Sequence, residues 1–285
     1  MIQNARLGTL TQGTIFSCAY AERYQNCSVW GVVITARCDI AHAKAPVYSY
    51  LPIVSIEDWF IHDGKDILIS RIKKEIEGNI KNKLAACDLS DSLLKVYNPR
   101  LIYEVNIKKL ESDSKKKKLA NDFSDLVENF EKIDSILSRT PTLEEMQDLG
   151  SKYPKLLEGI IKELISFNLA GYYYIPNIEL KSTSLEYVVI LREVHHISSD
   201  AALLIGNGID KDTYKSDFKD LNKKNICPKF GLEDDFAMPI SHLQSPWIEH
   251  LMQSFSNLFI RIGLPDFQKG AVSEISRKLK KKENK

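Results

Sequence analysis

The chain has 285 residues, of which 44% are hydrophobic and 27% charged, and 39 basic residues balance 38 acidic ones to a formal charge of +1. This composition excludes wholesale disorder and fibrous repeats, and it argues against a surface that binds nucleic acid everywhere through counterion release, leaving only local basic patches. Five cysteines, Cys18, Cys27, Cys38, Cys87 and Cys227, stand at irregular spacings with no CxxC pair. They read as free thiols, with neither a disulfide framework nor a structural zinc site. Met1–Arg6 has no apolar signal core, and no segment approaches the roughly 20 apolar residues of a membrane span, so a cytoplasmic protein with no membrane partner is expected.

In chain order, short β-branched and aromatic runs come first: Thr14-Ile15-Phe16, Val29 to Thr35, and Val47 to Val54. They predict strands, and the nearly continuous apolar run from Val29 predicts a central strand covered on both faces. Pro52 is awkward in this scheme, because proline donates no ladder hydrogen bond and belongs at an edge or a bulge. After Trp59 the period becomes helical, with Ile67, Leu68, Ile72, Ile76, Ile80 and Leu84 on one face and Gly78 as a weak point. A second helical stripe runs from about Asp122 through Phe123, Leu126, Val127, Phe130, Ile133, Ile136 and Leu137. Thr142, three residues before Glu145, predicts a capped helix start, and helical spacing continues from Tyr153 to Phe167. Strand character returns at Tyr172–Pro176 and at Leu185–Leu191. Near the end, Ser245 and Pro246 open an amphipathic helix with Trp247, Ile248, Leu251, Met252, Phe255, Leu258, Phe259 and Ile262 on its apolar face, stopped by Gly263 and Pro265. Two lysine runs, Lys115–Lys118 and the tail from Lys278 to Lys285, read as solvated loop and tail.

The order Gln12-Gly13-Thr14-Ile15-Phe16, then Trp30-Gly31-Val32-Val33-Ile34-Thr35, then Tyr50-Leu51-Pro52-Ile53-Val54-Ser55 resembles the first strands of the MazF/PemK-like toxins. The stretch from Glu186 to Ser198 is similar to that family's late strand and its exit into a helix. The resemblance covers about a quarter of the chain. It implies an α+β fold: a small SH3-like β-barrel formed by 1–56 and 181–210, a helical insertion over 57–180, and a C-terminal helical extension with a basic tail over 211–285. It further implies metal-independent cleavage of single-stranded RNA by an arginine and a Thr or Ser flanking the scissile phosphate, where a guanidinium grips phosphate and a hydroxyl fixes its position. Ser55 stands where the hydroxyl belongs. The arginine should open the central strand near Ser28 or Val29, and neither carries charge; Arg23 before the strand and Arg37 after it are the available substitutes.

Independently of that resemblance, Thr35 to Lys44 concentrates reactive side chains after the central strand. Arg37 and Lys44 suit phosphate, with Arg23 as a further nucleic-acid contact, and Asp39 with His42 suits acid–base work or two metal ligands. The plainer reading makes Asp39 a turn cap, Cys38 a buried small hydrophobe and His42 a surface residue. His195-His196 predicts one inward and one outward ring, while His242 and His250 have nothing nearby in sequence to complete a metal set. No metal or cofactor is expected. Two functions remain open. One is a non-catalytic binding or regulatory module of a bacterial stress or phage-defence system, recognising RNA or a protein partner, or pairing as a homodimer, with Trp247, Met252, Phe255 and Phe259 as the contact face of the last helix. The other is a metal-independent endoribonuclease using Ser55, Arg37, Asp39 and His42.

Overall fold

A computed structural model describes residues 1–112, 116–180, 185–217, 228–231, 234–260 and 276. Its scaffold is an antiparallel sheet of eight strands: β1 (Ile2–Asn4), β2 (Thr14–Phe16), β3 (Trp30–Val33), β4 (Val47–Ser55), β5 (Tyr172–Ile175), β6 (Tyr187–Ile190), β7 (His195–Ser198) and, after a separate two-stranded pair of β8 (Ile209–Asp210) with β9 (Phe236–Ala237), β10 (Pro239–Leu243). The order across the sheet is β1-β10-β2-β3-β4-β6-β5, with β7 pairing β4 beside β6. The sheet curls into a half-barrel whose outer strands are β1 and β5, and the fold is mixed α+β. The sheet also crosses the boundaries drawn from sequence. β5 falls within the 57–180 segment assigned to the insertion, and β10, from the 211–285 segment assigned to a helical extension, lies between β1 and β2.

β3 is central, as its apolar run predicts. Val33 joins the core on one face with Phe16, Tyr50, Val54 and Val188, and Val32 joins the other with Ile15, Leu51, Ile53 and Val189. Pro52 sits in inner strand β4, where an edge or a bulge is expected, and the ladder explains how. The Ser49 carbonyl accepts from Ile34 N–H, so odd-numbered residues of β4 bond β3 and even-numbered ones face β6 and β7. β6 pairs Ile53–Ser55 and β7 pairs Val47–Tyr50. The missing N–H of Pro52 therefore falls in the break between those two strands, where no residue of β6 or β7 is paired opposite it.

The helices follow the apolar periods. α1 (Arg37–Ala41) leads into β4, and α2 (Ile56–Trp59) passes through one π turn (Phe60–Gly64) into α3 (Lys65–Ala86), which buries Leu68, Ile72, Ile76, Ile80 and Leu84. α3 runs through Gly78 unbroken, because its packed stripe outweighs one glycine's helix cost of about 1 kcal/mol. The short α4 (Pro99–Ile102) precedes α5 (Lys117–Leu137), which starts about five residues earlier than the stripe from Asp122 suggests and buries Phe123, Val127 and Ile133. α6 (Leu143–Lys152) opens with the complete capping box of Thr142 and Glu145, and α7 (Pro154–Ile165) ties back to α3 through a two-pronged Arg71–Glu163 pair at 2.9 and 2.6 Å. α8 (Ser199–Asn207) and α9 (Lys211–Asp217) follow β7 and β8.

α10 (Trp247–Ile260) covers the sheet face opposite the helical segment, burying Ile248 and Leu251 beside Leu243, Tyr173 and Ile175. The stop expected at Gly263 and Pro265, the tail from Lys278, Lys115 and Cys227 lie outside the described residues. No described helix is long and apolar enough to cross a membrane.

Candidate functional site

The chain brings Arg6, Arg37 and His242 together at the end of the sheet where β1, β10 and β2 meet α1. His242 is placed by pairing: in register it lies opposite Thr14 on β2 and Gln3 on β1. Gly13 makes that approach possible, since its φ of +91° suits glycine and an added Cβ would lie 3.2 Å from both the His242 ring and the Leu243 carbonyl. Thr14 is buried, its hydroxyl accepting from Thr11 N–H at 3.0 Å and standing 3.4 Å from His242 Nδ1. The β1–β2 connection brings Arg6 to the site, and the turn after β3 brings Arg37.

These residues line a concavity of about 590 Å³ together with Gln3, Asn4, Thr11, Thr14, Gln244 and Ser245. No Asp or Glu is among them. Neither guanidinium has an ion-pair or hydrogen-bond partner among the described residues. His242 is held below its ordinary pKa, first by burial and then by the positive charge of Arg37 and of Arg6. Its imidazole is therefore neutral at pH 7, and an arriving anion reverses part of that pressure by favouring the protonated ring. The arrangement can hold phosphate: two free guanidiniums, a hydroxyl, side-chain amides, and an imidazole able to add a third charge.

The other sequence-predicted residues are spread around the fold. Ser55 lies five residues beyond Tyr50 on β4, about 17 Å along the strand, whereas Arg37 follows Val33, the partner of Tyr50. Its hydroxyl caps α2, accepting from Asp58 N–H at 3.0 Å and donating to the Asp58 carboxylate at 2.7 Å. Ser55→Ala is thus expected to cost about 1 kcal/mol in a urea melt and to leave ligand binding unchanged. Arg23 is occupied as well, donating to Asp63 at 2.6 Å, to Asp66 at 3.0 Å and to the His62 carbonyl at 2.8 Å. Asp63, from the π turn, is only 6% exposed, so it depends on this cation. Arg23→Ala is expected to destabilise the fold by about 2 kcal/mol, less than a fully buried pair because Arg23 is half exposed; a denaturant titration reads it.

Asp39 lies in the first turn of α1, where its carboxylate accepts from the Cys38 thiol at 3.7 Å. His42 is the exposed residue ending that helix, Lys44 is exposed in the following loop, and Cys38 is exposed where the plainer sequence reading buries it. Among the described residues no group of three or more His, Cys, Asp or Glu side chains is arranged to hold a metal ion. Trp247, Met252 and Phe255 pack against the chain's own second core; Phe259, at 69% exposure, does not. The two adjacent histidines divide as expected: His195 is half-buried against Tyr20 and Tyr50 and pairs with Glu193 at 2.5 Å, while His196 is exposed and meets Ser49 at 3.0 Å.

A second reactive-looking cluster is quiet. Cys27 Sγ is 3.8 Å from His62 Nε2, but burial and the nearby Asp58 carboxylate push the thiol up to about 12, so it stays protonated at neutral pH. Sequence reasoning singled out Arg37, weighed His242 only as a metal ligand, and did not pick out Arg6 or Thr14 as site residues. The one local signal for His242 is the alternation of Pro239-Ile240-Ser241-His242-Leu243, which reads as a strand.

Comparison of the chain with protein-family models, with curated proteins and with solved structures found no match.

Proposed function

We propose that the protein is a non-catalytic module that binds single-stranded RNA through the groove of Arg6, Arg37 and His242, serving, on the strand resemblance alone, a bacterial stress or phage-defence system. The observation carrying this reading is the pair of guanidiniums, unpartnered among the described residues, in a concavity whose described lining holds no carboxylate. A protein with a formal charge of +1 has no general attraction for polyanions, so a local cation-only groove marks a place rather than a background. Single strands suit it better than duplex, because its walls are short strands and loops and no described helix is presented in the manner of a major-groove reader.

Cleavage is the second reading, and one feature favours it: a neutral imidazole beside two guanidiniums is competent to take a proton from a 2′-hydroxyl while charge builds on phosphorus. The catalytic set suggested by the sequence does not support it, since Ser55 is at the far end of β4. Fluorescence anisotropy of a labelled 12-nucleotide mixed-sequence RNA, with EDTA and then with magnesium, decides between them. Saturable binding with intact RNA supports the module. Shortened RNA in EDTA, lost in His242→Gln, supports the nuclease, and no binding at tens of micromolar protein in low salt removes both.

A further inference from the structure

We infer that the groove recognises the phosphate–sugar backbone of the strand and not its bases, so that binding is independent of sequence; this rests on the RNA reading above. Three observations lead there. The first is what the lining lacks. Single-strand readers that select bases splay them onto aromatic platforms, and the lining contains no Phe, Tyr or Trp. Its only ring, His242, is held at one edge by Thr14 and pressed against Gly13, leaving it poorly placed as a stacking surface.

The second is that part of the amide set is held in place: Gln244 donates through Nε2 to Gln3 Oε1 at 3.1 Å, and the Gln3 backbone lies opposite His242 in the β1–β10 ladder, which limits how far these two amides can turn toward a base edge. The third is that the charged groups of the lining are cationic. Among the described residues Arg6 and Arg37 have no ion-pair or hydrogen-bond partner, and guanidinium geometry matches two phosphate oxygens at once.

The groups facing His242 are Arg37 from α1, Arg6 and Thr14 from the β1–β2 connection and β2, and Gln3 from β1, with no carboxylate among them. With the ring neutral the groove presents two charges; once the ring is protonated it presents three. A single strand releases about 0.7 counterion per phosphate neutralised. The slope of log affinity against log salt should then be about −1.4 at pH 8, where the ring is neutral, and should steepen toward about −2.1 as falling pH protonates the ring in the bound state. Affinity itself should rise as pH falls, because the bound state holds the proton more tightly than the free one.

The test is anisotropy with labelled A12, C12 and U12 RNA over a salt series at pH 8 and pH 5.5, with inorganic tripolyphosphate as a competitor that carries no base. Expected are affinities within about threefold across the three RNAs, the two slopes above, competition by tripolyphosphate, and loss of the pH effect in His242→Gln. A preference of tenfold or more for one homopolymer overturns base-independence, and a slope that does not change with pH overturns the third charge. If tripolyphosphate binds with the expected slopes and no RNA does, the RNA reading fails while phosphate recognition by this groove stands; if neither binds, both fail.

Discussion

Gly31→Val is expected to prevent the chain from folding at 25 °C, or to leave it with a melting temperature lower by 10 °C or more. Gly31 lies on β3 opposite Pro52, and a Cβ there would stand 2.7 Å from two ring carbons of Phe16 and 2.8 Å from the ring of Tyr50. Neither ring can withdraw. Phe16 and Tyr50 are packed edge to face at 5.2 Å, both are at most 2% exposed, and the Tyr50 hydroxyl accepts from Tyr20 N–H at 3.1 Å. Overpacking a tight core costs about 1–3 kcal/mol per residue, and valine brings three carbons to a place that does not admit one. The cost exceeds that range and takes most of a typical stability of about 5–15 kcal/mol. Gly78→Ala is the matching control: nothing lies within 4 Å of a Cβ there, so helix propensity alone should raise stability by up to about 1 kcal/mol. Thermal melts of both variants, followed by circular dichroism, read the contrast.

The double variant Arg6→Ala, Arg37→Ala is expected to lose at least 100-fold in RNA affinity at low salt while melting at the same temperature as the parent. Charge-assisted hydrogen bonds are worth about 1.5–3 kcal/mol each, and two such contacts give about 3 kcal/mol or more, beyond a hundredfold at 1.4 kcal/mol per decade. Stability should not move, because both side chains are exposed and neither bonds another described residue. This separates them from Arg23, whose loss acts on the fold through Asp63 and should leave RNA binding intact. A loss of affinity under fivefold in the double variant, with the fold unchanged, would place the RNA contact elsewhere.

The parts of the fold legible in sequence are those encoded locally. The apolar run of β3, the i, i+4 stripe from Leu68 to Leu84, the Thr142–Glu145 box and the face of α10 each specify their element within a dozen residues. What escaped is long-range. Nothing near Pro239–Leu243 announces that it will lie between β1 and β2, since that placement depends on His242 meeting Thr14 across 228 positions. Pro52 argues against an inner strand until the break between β6 and β7 is seen to remove its partner.

The candidate site divides along the same line. Arg37 stood out because it falls in a dense polar loop, but Arg6 and His242 are single residues without a motif, and only pairing joins them. Ser55 and Arg23 drew attention through their chemistry, and the fold spends both on itself, one as a cap and the other on a buried carboxylate. A hydroxyl at a strand end is as good a helix cap as a catalytic group, and local sequence does not separate the two uses.

The central claim is that RNA lies in the groove between β1, β10, β2 and α1. Photo-cross-linking a 4-thiouridine-containing 12-nucleotide RNA to the full chain, followed by peptide mass spectrometry, tests it most directly. The account predicts adducts within residues 3–14, 35–44 and 241–246. Adducts confined to α3, α5 or α10, with those three stretches unmodified, would contradict it.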